Sequence, residues 1–245
     1  MIDLHAHILP GIDDGPRSLE EALEMARLAV ADGITTIVAT PHLFRRRSVE
    51  FHELIRPHDI RQAVIRFNEK LMEEHIALKV LPGCEIPLFP EIIRFIDEDR
   101  VVTINDGQRY ICLEMPDSVI PPATEDIIFQ LNSRGITPII THPERNLVFY
   151  QMPDKLRRLV SLGCLGQITA RSLTRGFGWG VSRFTKRLVR EGLAHIMATD
   201  AHSVEKRPPV MGNALKKLSK LVGESRARDM VTTVPERIIQ GKVPA

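Results

Sequence analysis

The chain has 245 residues, 43% of them apolar and 26% charged, with a formal net charge of +2. That length suits one large α/β domain or two small ones, and the near-neutral charge gives no reason to expect nucleic acid or an acidic membrane as the main partner. Three well-separated cysteines with no CxxC spacing argue against a disulfide framework or a cysteine-rich zinc site, and fit a reducing compartment.

The opening IDLHAH reads as a strand and carries no basic, apolar leader; no later apolar run approaches the ~20 residues of a membrane span. A cytoplasmic protein without membrane insertion is expected. A capping box, Ser18 with Glu21, starts the helix LEEALEMARLAVADG, which Gly33 closes. The strand ITTIVAT (34–40) follows, then FRRRSVEFHELIRPHDI (44–60), polar and irregular enough to be a long loop. A helix over about 59–75 leads to the strand ALKVLPG (77–83), and RYICLEM (109–115) is the next. Helix 123–134, strand ITPIIT (136–141), helix 153–162 and strand CLGQIT (164–169) come in turn, with Gly135 and Gly163 as helix ends. Helix 181–191, strand AHIMAT (194–199) and helix 206–222 complete the series. The strands are continuously apolar, as in a parallel sheet covered on both faces. About seven strand–helix alternations predict a closed α/β barrel, and the absence of a linker predicts one domain over 1–245.

The metal-type residues collect where these strands end. His42 follows ITTIVAT, Glu85 follows ALKVLPG, Glu114 ends RYICLE, His142 follows ITPIIT, and Asp200 and His202 follow AHIMAT. In a β/α barrel the carboxyl ends of all strands converge on one face, so ligands distant in sequence meet there. His5 and His7, two apart on a strand, share a face and can reach one ion. Asp3 is expected on that face as a supporting group. Imidazole with carboxylate suits zinc, manganese or iron better than magnesium or calcium. His52, His58, His75 and His195 lie away from strand exits and are expected to serve no ion. Cys84, Cys112 and Cys164 read as small core residues.

The motifs HAH (5–7), DDG (13–15), ATPH ending at His42, GCE ending at Glu85, THPER (141–145) and ATDAH (198–202) resemble the polymerase and histidinol phosphatase (PHP) superfamily. MIDLHAHILPGIDDGPRSLEEAL and DAHSVEKRPP bring the likeness closer to its bacterial protein-tyrosine phosphatases of capsule and exopolysaccharide clusters, the CpsB/YwqE type. The resemblance spans nearly the whole chain. It implies a distorted seven-stranded β/α barrel with three divalent ions, manganese favoured and iron or zinc compatible. His5, His7, Glu85 and Asp200 would hold the first ion; Glu85, with Glu114 and His142, the second; Asp14, His42 and His202 the third. It favours Asp14 over Asp13, which the residues alone leave open. Arg145 and Arg207 would bind the phosphoryl group, a task for which the planar guanidinium fork is suited.

The expected reaction is hydrolysis of phosphotyrosine in the tail of a bacterial tyrosine kinase, by a hydroxide bridging the first two ions. Arg45, Arg46 and Arg47, just after His42, either attract an acidic phosphopeptide or form a solvated basic loop. Phe177 and Trp179 either line a tyrosine-binding mouth or pack on the rim. A small-molecule phosphatase such as histidinol-phosphatase is the nearest alternative, ahead of a non-catalytic metal-binding module and a nuclease. Oligomeric state is not readable from the sequence.

Overall fold

In the computed structural model, which describes residues 1–44 and 55–244, each expected apolar run forms a strand. The strands are β1 (Ile2–Ala6), β2 (Thr36–Ala39), β3 (Lys79–Pro82), β4 (Glu85–Pro87), β5 (Tyr110–Glu114), β6 (Thr137–Thr141), β7 (Leu165–Thr169) and β8 (Ile196–Ala198). All pairings are parallel. β1, β2 and β3 form one sheet in that order, and β4 to β8 form a second in chain order.

Two isolated parallel bridges join these sheets into a distorted ring. Ala6 pairs with Ala201, and His42 pairs with Glu85. At the first seam the amide of His7 donates to Ala201 O and that of Asp200 to His5 O, both at 2.8 Å. At the second, Glu85 N donates to Pro41 O (3.1 Å) and Leu43 N to Glu85 O (2.9 Å). The expected third strand is thus broken at Gly83–Cys84 into β3, on β2, and β4, on β5. Gly83 permits the break: a Cβ there would lie 2.7 Å from Val38 Cγ1.

One face of the strands points into the ring. Its lower layer is apolar: Val38, Leu81, Cys112, Ile139 and Ile196, floored by Ile104 and Ile238. Two residues further along β5, β6 and β7, the same face presents Glu114, Thr141 and Gln167, the period-2 step of a strand. A polar layer therefore sits on an apolar plug, at the carboxyl ends.

Helices α1 (Leu19–Ala31), α2 (Pro57–Glu73), α3 (Ile92–Asp97), α4 (Thr124–Ser133), α5 (Leu147–Gln151), α6 (Pro153–Ser161), α7 (Ala170–Leu173), α8 (Gly178–Arg190), α9 (Gly212–Val222), α10 (Glu224–Asp229) and α11 (Thr233–Ile239) complete the described fold. Ser18 caps α1 as expected, accepting from Glu21 N at 3.2 Å, but the Glu21 carboxylate reaches the amide of Arg17 instead of Ser18. The helix expected over 206–222 begins at Gly212: the segment before it bends, with Val210 N donating to Pro208 O at 2.9 Å, and Pro208 and Pro209 supply no amide for a helical ladder. The proposed loop gives way to helix at Pro57. Arg45, Arg46, Arg47 and His52 lie outside the described residues.

Candidate metal centre

Backbone irregularities set the ligands in place. Along β1, Asp3 pairs with Ile37 but Ala6 pairs with Ala39, so β1 carries one extra residue between them. Such a bulge re-aims the side chains beyond it. His5 and His7 face the ring interior, while Asp3 no longer shares their face, contrary to the expectation from strict alternation. Asp3 accepts instead from Thr199 N (3.0 Å), His5 N (3.2 Å) and Thr199 Oγ1, latching β1 to β8. Its carboxyl is pushed up to about 6 by burial. His142 (φ 35°), directly after β6, and Asp200 (φ 52°), two residues past β8, adopt left-handed backbone. Non-glycine residues hold that conformation at a cost of about 1–3 kcal/mol, and do so most often at functional sites.

Nine of the expected residues converge. Four sets have donor atoms within 4.8 Å of one another: His5, His7 and Asp200; His5, Glu85 and His142; His42, Glu85 and Glu114; and His7, Asp14, His42 and His202. Glu85 is central. Its Oε2 lies 3.1 Å from His42 Nδ1, 3.5 Å from His5 Nε2 and 3.7 Å from His7 Nε2, while Oε1 lies 2.9 Å from His142 Nε2 and accepts from Thr141 Oγ1 at 2.6 Å. His142 Nε2 is 3.7 Å from Glu114 Oε1. Asp14 Oδ1 is 3.5 Å from both His42 Nε2 and His202 Nε2.

The groups behind the imidazoles determine which nitrogen faces inward. Gln167 Oε1, which can only accept, takes the Nδ1–H of His5 at 2.8 Å, and its amide nitrogen is fixed on Ile168 O. The Asp13 carboxylate takes the Nδ1–H of His7 at 2.5 Å and also accepts from the amides of His42 and Gly15. The carbonyl of Asp200 takes the Nδ1–H of His202 at 3.0 Å. Each ring then presents Nε2 to the interior, the arrangement that orients metal-binding histidines. Asp13 is thus an orienting group, and Asp14 is the acid that faces the imidazoles. Gln167 is absent from the sequence reading; its signal is a lone amide at the third position of the strand LGQIT.

This arrangement fits a cation. His5 Nε2 and His7 Nε2 face each other at 3.3 Å, and Glu85 Oε2 is buried there without a hydrogen bond of acceptable geometry. Burial opposes charging His5, yet the Glu85 and Asp200 carboxylates outweigh it and push the imidazole up to about 9. His7 is held well below its usual value by burial and by the imidazoles of His202, His42 and His5. His142 is lowered to about 4 by burial and Arg145. Glu85 and Asp200 stay ionised despite burial, Glu85 through His5 and His142, Asp200 through Arg145 and His5. The cluster calls for positive charge at its centre, which a proton on His5 or a divalent ion supplies. Gln167→Leu, which strands the buried Nδ1–H of His5, is expected to weaken divalent-metal affinity about 10–100-fold. Chelator-competition titration checks this; unchanged affinity would mean that His5 is oriented by something else.

Both expected arginines reach the centre. Arg145 Nη2 bonds Asp200 Oδ2 at 2.6 Å, and Arg207 Nη2 pairs with the same oxygen while its Nη1 lies 3.2 Å from His202 Nε2. Asp200 Oδ1 points the other way, 3.5 Å from His5 Nε2 and 3.6 Å from His7 Nε2. The Phe177 ring lies 5.1 Å from the Arg145 guanidinium carbon, whereas Trp179 is 71% exposed with Arg175 stacked on it at 3.5 Å. His58, His75 and His195 belong to none of the four sets; His195 Nδ1 accepts from the amide of Gly166.

Fold and site together define a metal-binding β/α-barrel protein with five imidazoles and four carboxylates gathered at its strand ends. The chain matches the model of the family for capsular polysaccharide synthesis, CpsB/CapC, over residues 1–240. It is 38% identical over 242 residues to the tyrosine-protein phosphatase YwqE of Bacillus subtilis (strain 168), covering 99% of this chain and 92% of that one. It is 37% identical over 211 residues to the putative tyrosine-protein phosphatase CapC of Staphylococcus aureus, covering 85% and 79%. Among solved structures it matches one from a study of YwqE from Bacillus subtilis and CpsB from Streptococcus pneumoniae, described there as unique metal-dependent tyrosine phosphatases. The TM-score is 0.95 at 36% identity, over 100% of this chain and 96% of that one. The chain belongs to the CpsB/CapC family.

Proposed function

We propose that this protein is a metal-dependent protein-tyrosine phosphatase acting on phosphotyrosine of a bacterial tyrosine kinase that regulates capsular or exopolysaccharide synthesis. One observation carries the reading: the carboxylate that faces His5 and His7 with one oxygen holds Arg145 and Arg207 with the other. Phosphate-binding cations thus adjoin the metal ligands. The relatives named above support the same activity.

In this reading His5, His7, Glu85 and Asp200 would hold one ion, Glu85 with Glu114 and His142 a second, and Asp14, His42 and His202 a third. The donor set accepts manganese, iron or zinc, and the family resemblance favours manganese. Such ions, when bound, lower the pKa of water and neutralise charge on a phosphoryl group. Arg145 and Arg207 orient that group through their remaining N–H donors, and Asp13, Gln167 and the Asp200 carbonyl keep the imidazoles turned inward.

A cysteine nucleophile has no support. Burial pushes the thiols of Cys84 and Cys164 up to about 12 and that of Cys112 well above its usual value, so none offers a thiolate near neutral pH. The test compares metal-loaded protein on a phosphotyrosyl peptide and on histidinol phosphate. A preference for the peptide on the order of 10²-fold in kcat/KM is expected. The reverse preference would select the small-molecule phosphatase instead.

A further inference from the structure

Charge is segregated along this chain. Residues 171–222 contain eleven of its 33 lysines and arginines but three of its 31 acids, although the whole chain is nearly neutral. Of those three, Asp200 lies in the metal centre and Glu191 is paired with Arg157 and Arg187, which leaves Glu205. The stretch builds α7, α8 and α9. Along α9, Asn213, Lys216, Lys217 and Lys220 follow the i, i+3, i+4, i+7 pattern of one helix face, with Ala214 and Leu218 buried behind them. With Thr174 they line a cleft of about 430 Å³ to which, among the described residues, no carboxylate contributes.

The cleft adjoins the arginine side of the metal centre. Thr174 lies within a short segment tied to it at both ends. Arg171 donates to the carbonyl of Lys206, the residue before Arg207, and Phe177 packs against Arg145. Asn213 to Lys220 spans about 10 Å of helix axis, the reach of roughly three extended residues. A concave, basic cleft along that span of helix, beside the arginines of the metal centre, suits an anionic polypeptide segment better than the broad face of a bilayer.

We infer that the α7–α9 cleft, with Lys216, Lys217 and Lys220, docks acidic residues flanking the phosphotyrosine of the substrate. The inference rests on the phosphatase reading and adds to it the character of the substrate sequence. Charge complementarity of this exposed kind speeds encounter and lowers KM, and salt screens it.

The test uses metal-loaded protein and two phosphotyrosyl peptides of equal length, one flanked by Glu and Asp, the other by Ser and Gln, with p-nitrophenyl phosphate as a substrate too small to reach the cleft. Wild type is expected to show a KM about tenfold lower for the acidic peptide at low salt, shrinking towards ~0.15 M. The triple variant Lys216→Ala, Lys217→Ala, Lys220→Ala should lose that preference and hydrolyse p-nitrophenyl phosphate at the wild-type rate. The corresponding triple arginine variant should keep the preference. Absence of a preference in wild type, or its persistence in the alanine variant, overturns the inference. Binding of wild type to phosphatidylserine vesicles without any peptide preference would reassign the surface to membranes and overturn it too. Hydrolysis of p-nitrophenyl phosphate with no turnover of either peptide would instead refute the tyrosine-phosphatase reading itself.

Discussion

Replacing Glu85 by glutamine is expected to lower kcat/KM about 10³-fold, close to 4 kcal/mol of transition-state stabilisation, while the barrel stays folded. Glutamine keeps the size and one acceptor oxygen, so Thr141 Oγ1 retains its partner. What disappears is a buried charge that lies within 3.7 Å of nitrogens of His5, His7, His42 and His142. Metal content should fall with activity, because Glu85 is the carboxylate shared between neighbouring ligand sets. Wild-type metal content with wild-type turnover would remove Glu85 from the centre.

A second readout comes from pH. In the metal-free protein His5 is raised to about 9 by Glu85 and Asp200 acting against its burial. A basic group with a raised folded-state pKa contributes stability that is fully present below the unfolded value, about 6.5, and lost as pH rises through the folded value. Metal-free wild type should therefore lose stability between about pH 6.5 and 9. In Glu85→Gln that decline should start at the same pH, which the unfolded imidazole sets, but be smaller and end at lower pH, since one of the two counter-charges that raise His5 is gone. Chelated samples, unfolded in denaturant across this range, give the comparison.

The centre is legible in sequence because its construction is regular. Each inward strand position at the carboxyl end follows an apolar inward position by two residues, as Glu114 follows Cys112 and Gln167 follows Leu165. An apolar run ending in a metal-type residue therefore reads directly. The bulge in β1 does not, since it depends on pairing with β2 rather than on residue type. That is why Asp3 is misplaced by strict alternation while His5 and His7 are not. Gln167 is hidden because an amide carries no metal signature; its role comes from facing His5 across the ring. The break after Gly83 and the short helices α3, α5, α7, α10 and α11 escape for a related reason. Each is set by tertiary packing over too few residues for a periodic pattern to register.

Arg145 and Arg207 should separate from the metal ligands by what their loss spares. The two guanidinium groups converge on one carboxylate oxygen, Asp200 Oδ2, so that oxygen cannot occupy the donors of both forks. Arg145 also keeps a buried Nε–H with no acceptor among the described residues, and Arg207 is depressed below its usual value, first by burial. The N–H donors that Asp200 leaves unused on the two guanidinium groups are suited to the oxygens of a phosphoryl group. Lysine at either position preserves the charge but loses the fork, so each single variant is expected to lose about 10²-fold in kcat/KM on p-nitrophenyl phosphate. The double variant should lose less than the product of the two, because both side chains act on one oxygen and one substrate group. Metal affinity should hold in all three variants, since none removes a donor atom from the ligand sets. This pattern, activity lost with metal retained, is opposite to that of Glu85→Gln, where both fall together. If the lysine variants shed metal in proportion to activity, the arginines serve to hold Asp200 in place rather than to bind phosphate.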